Sequence, residues 1–105
     1  MNQALEIFNR KPKTHNCAQA VAAGCGCEEL VESLKPMGGG RAPEGRCGAL
    51  QSLLAATPES LHAELRHRFV EAVGSEFCRE LKKRGMSCEK CVETAAALLE
   101  EALLR

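Results

Sequence analysis

"GMSCEKCVETAAALLEEALL", residues 85–104, decides the fold. Gly85 closes whatever precedes it, Ser87 is a helix N-cap, and strong helix formers follow without a break. Cys88 and Cys91 stand three residues apart at the start of this helix, so they share one face. A pair at that spacing serves as a metal clamp, a redox couple or core filling.

Working back from that helix, the segment "SEFCRELKKRG" (75–85) ends on three cations and a glycine, the expected signal for a helix C-terminus. Before it, Leu61, Leu65 and Phe69 recur every four residues, and Thr57-Pro58 reads as their cap and first turn. "CGALQSLLAA" (47–56) places Cys47, Leu50 and Leu54 on one helical face. "PMGGGRAPEGR" (36–46) is the clearest loop. Upstream, "CGCEELVESLK" (25–35) breaks at Gly26, resumes as a short helix and ends at Pro36. Asn16 caps a helix over "CAQAVAAG", and an amphipathic first helix covers about residues 2–10 until Pro12. The expected fold is therefore all-α: one domain over residues 1–105, a small bundle of five or six short helices with a Gly-rich loop.

Composition agrees. The chain has three Phe, no Trp and no Tyr, so its core rests on Leu, Val and Ala, which suit close helix packing. Its 14 basic and 14 acidic residues balance, which leaves no cationic excess for a nucleic acid partner. No apolar run is long enough to cross a membrane. The opening "MNQALEIFNRKPK" is charged and lacks the apolar stretch of a signal peptide, so the expected location is cytoplasmic. Apolar faces on small helices with little aromatic filling leave room for a homodimer.

The seven cysteines are the anomaly, and an odd number cannot all pair within one chain. In a reducing compartment, clustered cysteines serve as metal ligands or redox groups more often than as structural disulfides. Cys17, Cys47 and Cys88 each fall at a helix start, where open N–H groups and the helix dipole favour thiolate, the nucleophilic and metal-binding form. Cys78 lies near a fourth helix end. Zinc would draw on paired spacings, Cys25/Cys27 with Cys88/Cys91. An iron–sulfur cluster would draw on thiolates with Gly-rich backbone nearby, although neither ferredoxin spacing is present. His62 and His67 are five apart, on different sides of a helix, and read as surface residues; His15 reads as a loop histidine.

The order of cysteine segments resembles the redox-active family named for its C_GCAxxG_C_C signature. "HNCAQAV" (15–21), "GGGRAPEGRCGALQSLLAA" (38–56), "FCREL" (77–81) and "CEKCVETAAALLEE" (88–101) carry the likeness, which spans nearly the whole chain. Cys17, Cys47, Cys78 and Cys88 fall where that family has its signature cysteines. Ser52 stands where the family has a glycine, the segment before the Gly-rich loop is short, and Cys25, Cys27 and Cys91 are additions. The resemblance implies redox chemistry by thiols or by an iron–sulfur centre of unspecified type, as in the similar domain of split-Soret cytochromes.

Three functions follow as expectations. The first is a cluster-binding electron-transfer protein, serving a redox partner protein, with Cys17, Cys47, Cys78, Cys88 and Cys91 as ligands. The second is a metal-free thiol–disulfide oxidoreductase, with Cys88 and Cys91 as the couple and Cys17 or Cys47 as attacking or resolving thiol. The third is a zinc-stapled interaction module.

Overall fold

A computed structural model describes residues 3–10, 14–37 and 45–104. Among them are six α-helices: α1 (Ala4–Phe8), α2 (Cys17–Gly24), α3 (Gly48–Ala55), α4 (His62–Val73), α5 (Cys78–Lys83) and α6 (Cys88–Leu103). Three single-turn 3-10 segments, Glu28–Leu30, Lys35–Met37 and Glu59–Leu61, fill connections. No strand occurs among the described residues; Arg46 and Phe77 form one isolated antiparallel bridge. The all-α expectation holds. Residues 38–44 of the expected Gly-rich loop lie outside the described residues.

Helix α6 is the centre of the bundle, packed against α1, α2, α3 and α4. Its buried side chains are Cys91, Val92, Ala95, Ala96, Leu98 and Leu99, a stripe at helical spacing. Leu50 and Leu53 of α3, Leu65 and Phe69 of α4 and Val21 of α2 complete a core in which each is fully buried. Truncating Phe69 or one of these Leu residues to Ala costs about 2–5 kcal/mol, a large share of the ~5–15 kcal/mol that holds a domain folded. Small residues bring the helices close. A Cβ on Gly24 would run into the backbone of Ala4, so glycine there sets the α1–α2 approach.

The helix starts are well determined. The Asn16 side chain accepts from the Gln19 N–H at 2.7 Å, and the Gln19 side chain accepts from the Asn16 N–H at 3.1 Å, a complete capping box. The Asn16 amide also donates to the carbonyls of Leu34 and Lys35, pinning the following loop beside the start of α2. Ser87 accepts from the Lys90 N–H at 3.1 Å and caps α6 as expected. Gly85 adopts φ +77°, a left-handed turn that separates α5 from α6.

Three local expectations are corrected. The helix expected over 25–35 is a 3-10 turn at Glu28–Leu30 followed by turns, and Pro36 sits inside the second 3-10 segment instead of ending a helix. Thr57 does not cap α4. Its hydroxyl donates back to the Leu53 carbonyl at 2.8 Å and closes the end of α3, and Pro58 leads into a 3-10 turn. The first helix covers only Ala4–Phe8.

Candidate functional site: a five-cysteine pocket

Helices α2, α3, α5 and α6 all begin at one place. Cys17, Cys78 and Cys88 are the first residues of α2, α5 and α6, and Cys47 is the N-cap of α3. Together with Cys91, one turn into α6, these cysteines line a single apolar cavity of about 20 Å³. That is room for roughly one water molecule. Leu81, Met86, Gly48 and Lys82 complete the wall. All five cysteines expected at the site thus converge, from segments spread over most of the chain. No disulfide joins them.

Several local features produce the convergence. Residues 46–47 pair with 76–77: the Cys47 N–H donates to the Glu76 carbonyl at 2.7 Å, beside the Arg46–Phe77 bridge. This holds Cys47 and Cys78 next to one another. Glu76 is fixed in turn by Arg66 at 2.6 Å and approached by Arg46 at 3.9 Å. Gly48 admits Cys17: a Cβ at residue 48 would stand 2.8 Å from the Cys17 sulfur and 2.7 Å from the Met37 carbonyl. Glycine is required there for close approach.

The five thiols differ in exposure. Cys17, Cys47 and Cys91 are buried, Cys78 is half-buried and Cys88 is exposed. Their protonation differs as well. The Cys91 thiol, with the N–H groups of Leu50 and Ala49 at the open end of α3, draws the Cys47 pKa down against the opposing effect of burial. Cys91 is pushed up, first because it is the donor to Cys47 and then by burial and the neighbouring sulfurs. The two shifts run in opposite directions, so Cys47 is the more readily ionised of these two thiols in the cavity wall. Burial pushes Cys78 up, partly offset by Lys82.

Cys25 and Cys27 do not belong to this site. Cys25 is the C-cap of α2, at the far end of the helix that Cys17 begins, and its thiol donates to the Ala96 carbonyl at 3.5 Å. Burial, Cys27 and Glu100 raise its pKa to about 11. Burial and Glu29 raise that of Cys27. Both are held as neutral thiols against the bundle. The expected zinc set of Cys25, Cys27, Cys88 and Cys91 is not assembled, because Ala96 lies eight residues along α6 from Cys88, about 12 Å of helix. His62 meets the Thr57 carbonyl at 3.0 Å, His67 meets Glu71 at 3.2 Å and His15 meets Thr14 at 2.8 Å; none lines the cavity.

The donor set suits an iron–sulfur cluster in kind, with five thiols in apolar walls and no histidine or carboxylate. The spacing is not that of a formed metal site: among the described residues, no three Cys, His, Asp or Glu are grouped to hold one ion. No helix among them is long and apolar enough to cross a membrane. The chain matches none of the protein-family models, curated proteins or solved structures against which it was compared.

Proposed function

We propose that this protein is a small redox protein whose pocket binds an iron–sulfur cluster through Cys47, Cys78, Cys88 and Cys17, with Cys91 as a fifth thiol beside them, and that it passes electrons to a partner protein. The observation that carries this is the start of four helices at one cavity with a cysteine at each start. Thiolates and thiolate-ligated clusters are anionic, and open N–H groups with aligned peptide dipoles favour that charge. A single thiol couple needs two cysteines; five converging on one apolar void exceed that need. The likeness to the C_GCAxxG_C_C family points the same way.

When bound, the cluster would supply one-electron chemistry. The chain's own contribution is to hold the thiolates, exclude water and open the wall. A 20 Å³ void must widen to seat a cluster. Helix α5 is the element that moves at least cost, being six residues long with only Leu81 buried.

A second reading is favoured by the Cys47–Cys91 contact. There the Cys47 thiolate attacks the disulfide of a partner protein and releases one partner thiolate. Cys91 then gives up its proton and displaces the second, leaving a Cys47–Cys91 disulfide and a reduced partner dithiol. This differs from the couple expected from sequence, Cys88 with Cys91, because Cys47 and Cys91 lie buried together in the cavity wall with their pKa values moved in opposite directions, Cys47 down and Cys91 up.

Anaerobic reconstitution with iron and sulfide separates the two. The cluster reading expects absorbance bands that are lost in Cys47→Ala and retained in Cys25→Ala and Cys27→Ala. Full cluster occupancy in Cys47→Ala would overturn the ligand assignment. A colourless protein that accumulates a Cys47–Cys91 disulfide would move the assignment to the thiol couple.

A further inference from the structure

The charge of this chain is balanced overall but not evenly placed. Helix α5 and the turn after it carry Arg79, Lys82, Lys83 and Arg84, all exposed. Four other cations are paired: Arg46 and Arg66 with Glu76, Arg68 with Glu101 and Lys90 with Glu93. The four on and after α5 make no salt bridge with a described residue. Lysines in the last turn complement the α5 dipole, but so short a helix does not account for four cations.

Their position matters more than their number. Lys82 lines the cysteine cavity, Arg79 follows Cys78, and Cys88, the exposed thiol of the five, opens to solvent just beyond Gly85. Phe77, one of the few large apolar side chains left exposed, precedes Cys78. An unpaired cationic rim, one aromatic anchor and a solvent-facing thiol at the mouth of a buried redox centre have the composition of a charge-steered, short-lived docking surface.

We infer that α5 and the 84–88 turn are the docking face for a redox partner protein with an acidic surface, and that electrons enter or leave the site by way of Cys88 and Cys78. This rests on the redox role proposed above for the pocket. The occupant is a folded acidic protein and not a nucleic acid, because the patch is confined to one short helix and its turn, and the chain as a whole carries no cationic excess to follow a phosphate backbone.

The test is a titration of isotope-labelled protein, in both its metal-free and its reconstituted forms, with an acidic plant-type ferredoxin at low salt, observed by amide NMR. A basic cytochrome c and a single-stranded oligonucleotide are the comparison probes. The expected result is shifts confined to residues 77–90 with the ferredoxin and none with the cytochrome. The shifts should fade as salt approaches ~0.15 M, where the Debye length is about 8 Å. Arg79→Gln with Lys83→Gln, both exposed and neither lining the cavity, should weaken binding about fivefold, with the amides of α1 unmoved as proof of fold. Shifts elsewhere, equal binding of the cytochrome, tighter binding of the oligonucleotide, or no binding at low salt would overturn the inference. Docking seen in a protein that takes up no cluster would leave the surface standing and remove the cluster reading.

Discussion

Replacing Cys91 by Ala should abolish the low pKa of Cys47. In the native protein the Cys91 thiol is the largest of the influences that bring Cys47 from 9.0 to about 7. At pH 7 roughly half of Cys47 is then thiolate, against about one part in a hundred for a thiol of pKa 9.0. Without the Cys91 donor, burial opposes the Ala49 and Leu50 N–H groups, and the midpoint returns to about 9. Thiolate at pH 7 falls about fiftyfold. A thiolate of higher pKa is intrinsically the better nucleophile, so the alkylation rate falls less, by about sixfold. Iodoacetamide labelling of the metal-free protein, mapped by mass spectrometry from pH 5 to pH 10, reads both quantities. Cys91→Ser is the control, since its hydroxyl still donates and should hold the midpoint below 9. The Ala variant loses only one buried sulfur, about 1 kcal/mol, and should remain folded. An unchanged Cys47 midpoint in Cys91→Ala would refute the thiolate–thiol pairing.

The same shift sets a stability window. Cys47 has a folded pKa below 9.0, so its contribution is complete above 9.0 and is lost as pH falls through about 7. Cys25, with a folded pKa near 11, contributes stability that is complete below 9.0 and lost as pH rises through 11. Stability of the reduced, metal-free protein should therefore rise from pH 7 to 9 and fall beyond it. Cys47→Ser should flatten the rising limb.

Gly48→Ala should close the site, because its methyl group would meet both the Met37 carbonyl and the Cys17 sulfur below 3 Å; a loss of about 1–3 kcal/mol in urea unfolding is expected, and native stability would show that Cys17 is not held there. Ser52→Ala should stabilise the fold, since the Ser52 hydroxyl is fully buried and has no hydrogen-bond partner among the described residues. A gain of about 1 kcal/mol raises Tm by ~4–8 °C, and a lower Tm would mean that the hydroxyl is bonded. Asn16→Ala removes a capping box and two loop bonds. It should cost about 2 kcal/mol and speed hydrogen exchange at the start of α2, and unchanged exchange there would contradict the clamp.

Much of the scaffold is legible locally. Asn16, Ser87 and Gly85 mark helix ends by side-chain and backbone chemistry that acts within four residues, and the structure keeps all three. The cysteines at the starts of α2, α3 and α6 were legible for the same reason. What escaped was set at long range. Cys91 and Cys47 are 44 residues apart in sequence, and their contact depends on how α6 crosses α3. No spacing rule separates Cys25 and Cys27 from the site; only the docking of Cys25 against Ala96 does. Pro36 and Thr57 misled because each carries a breaker or capping signal that a neighbouring carbonyl or turn overrides. The cationic rim was visible as "RELKKR", but its unpaired state depends on where the carboxylates fall in space.

The most direct test of the central claim is the composition of the protein purified without oxygen: its visible spectrum together with iron, acid-labile sulfide and zinc content. A brown protein with matched iron and sulfide, bleached in Cys47→Ala, is the expected result. A colourless protein that binds neither iron nor sulfide after anaerobic reconstitution would contradict the cluster assignment and leave the Cys47–Cys91 couple as the working redox centre.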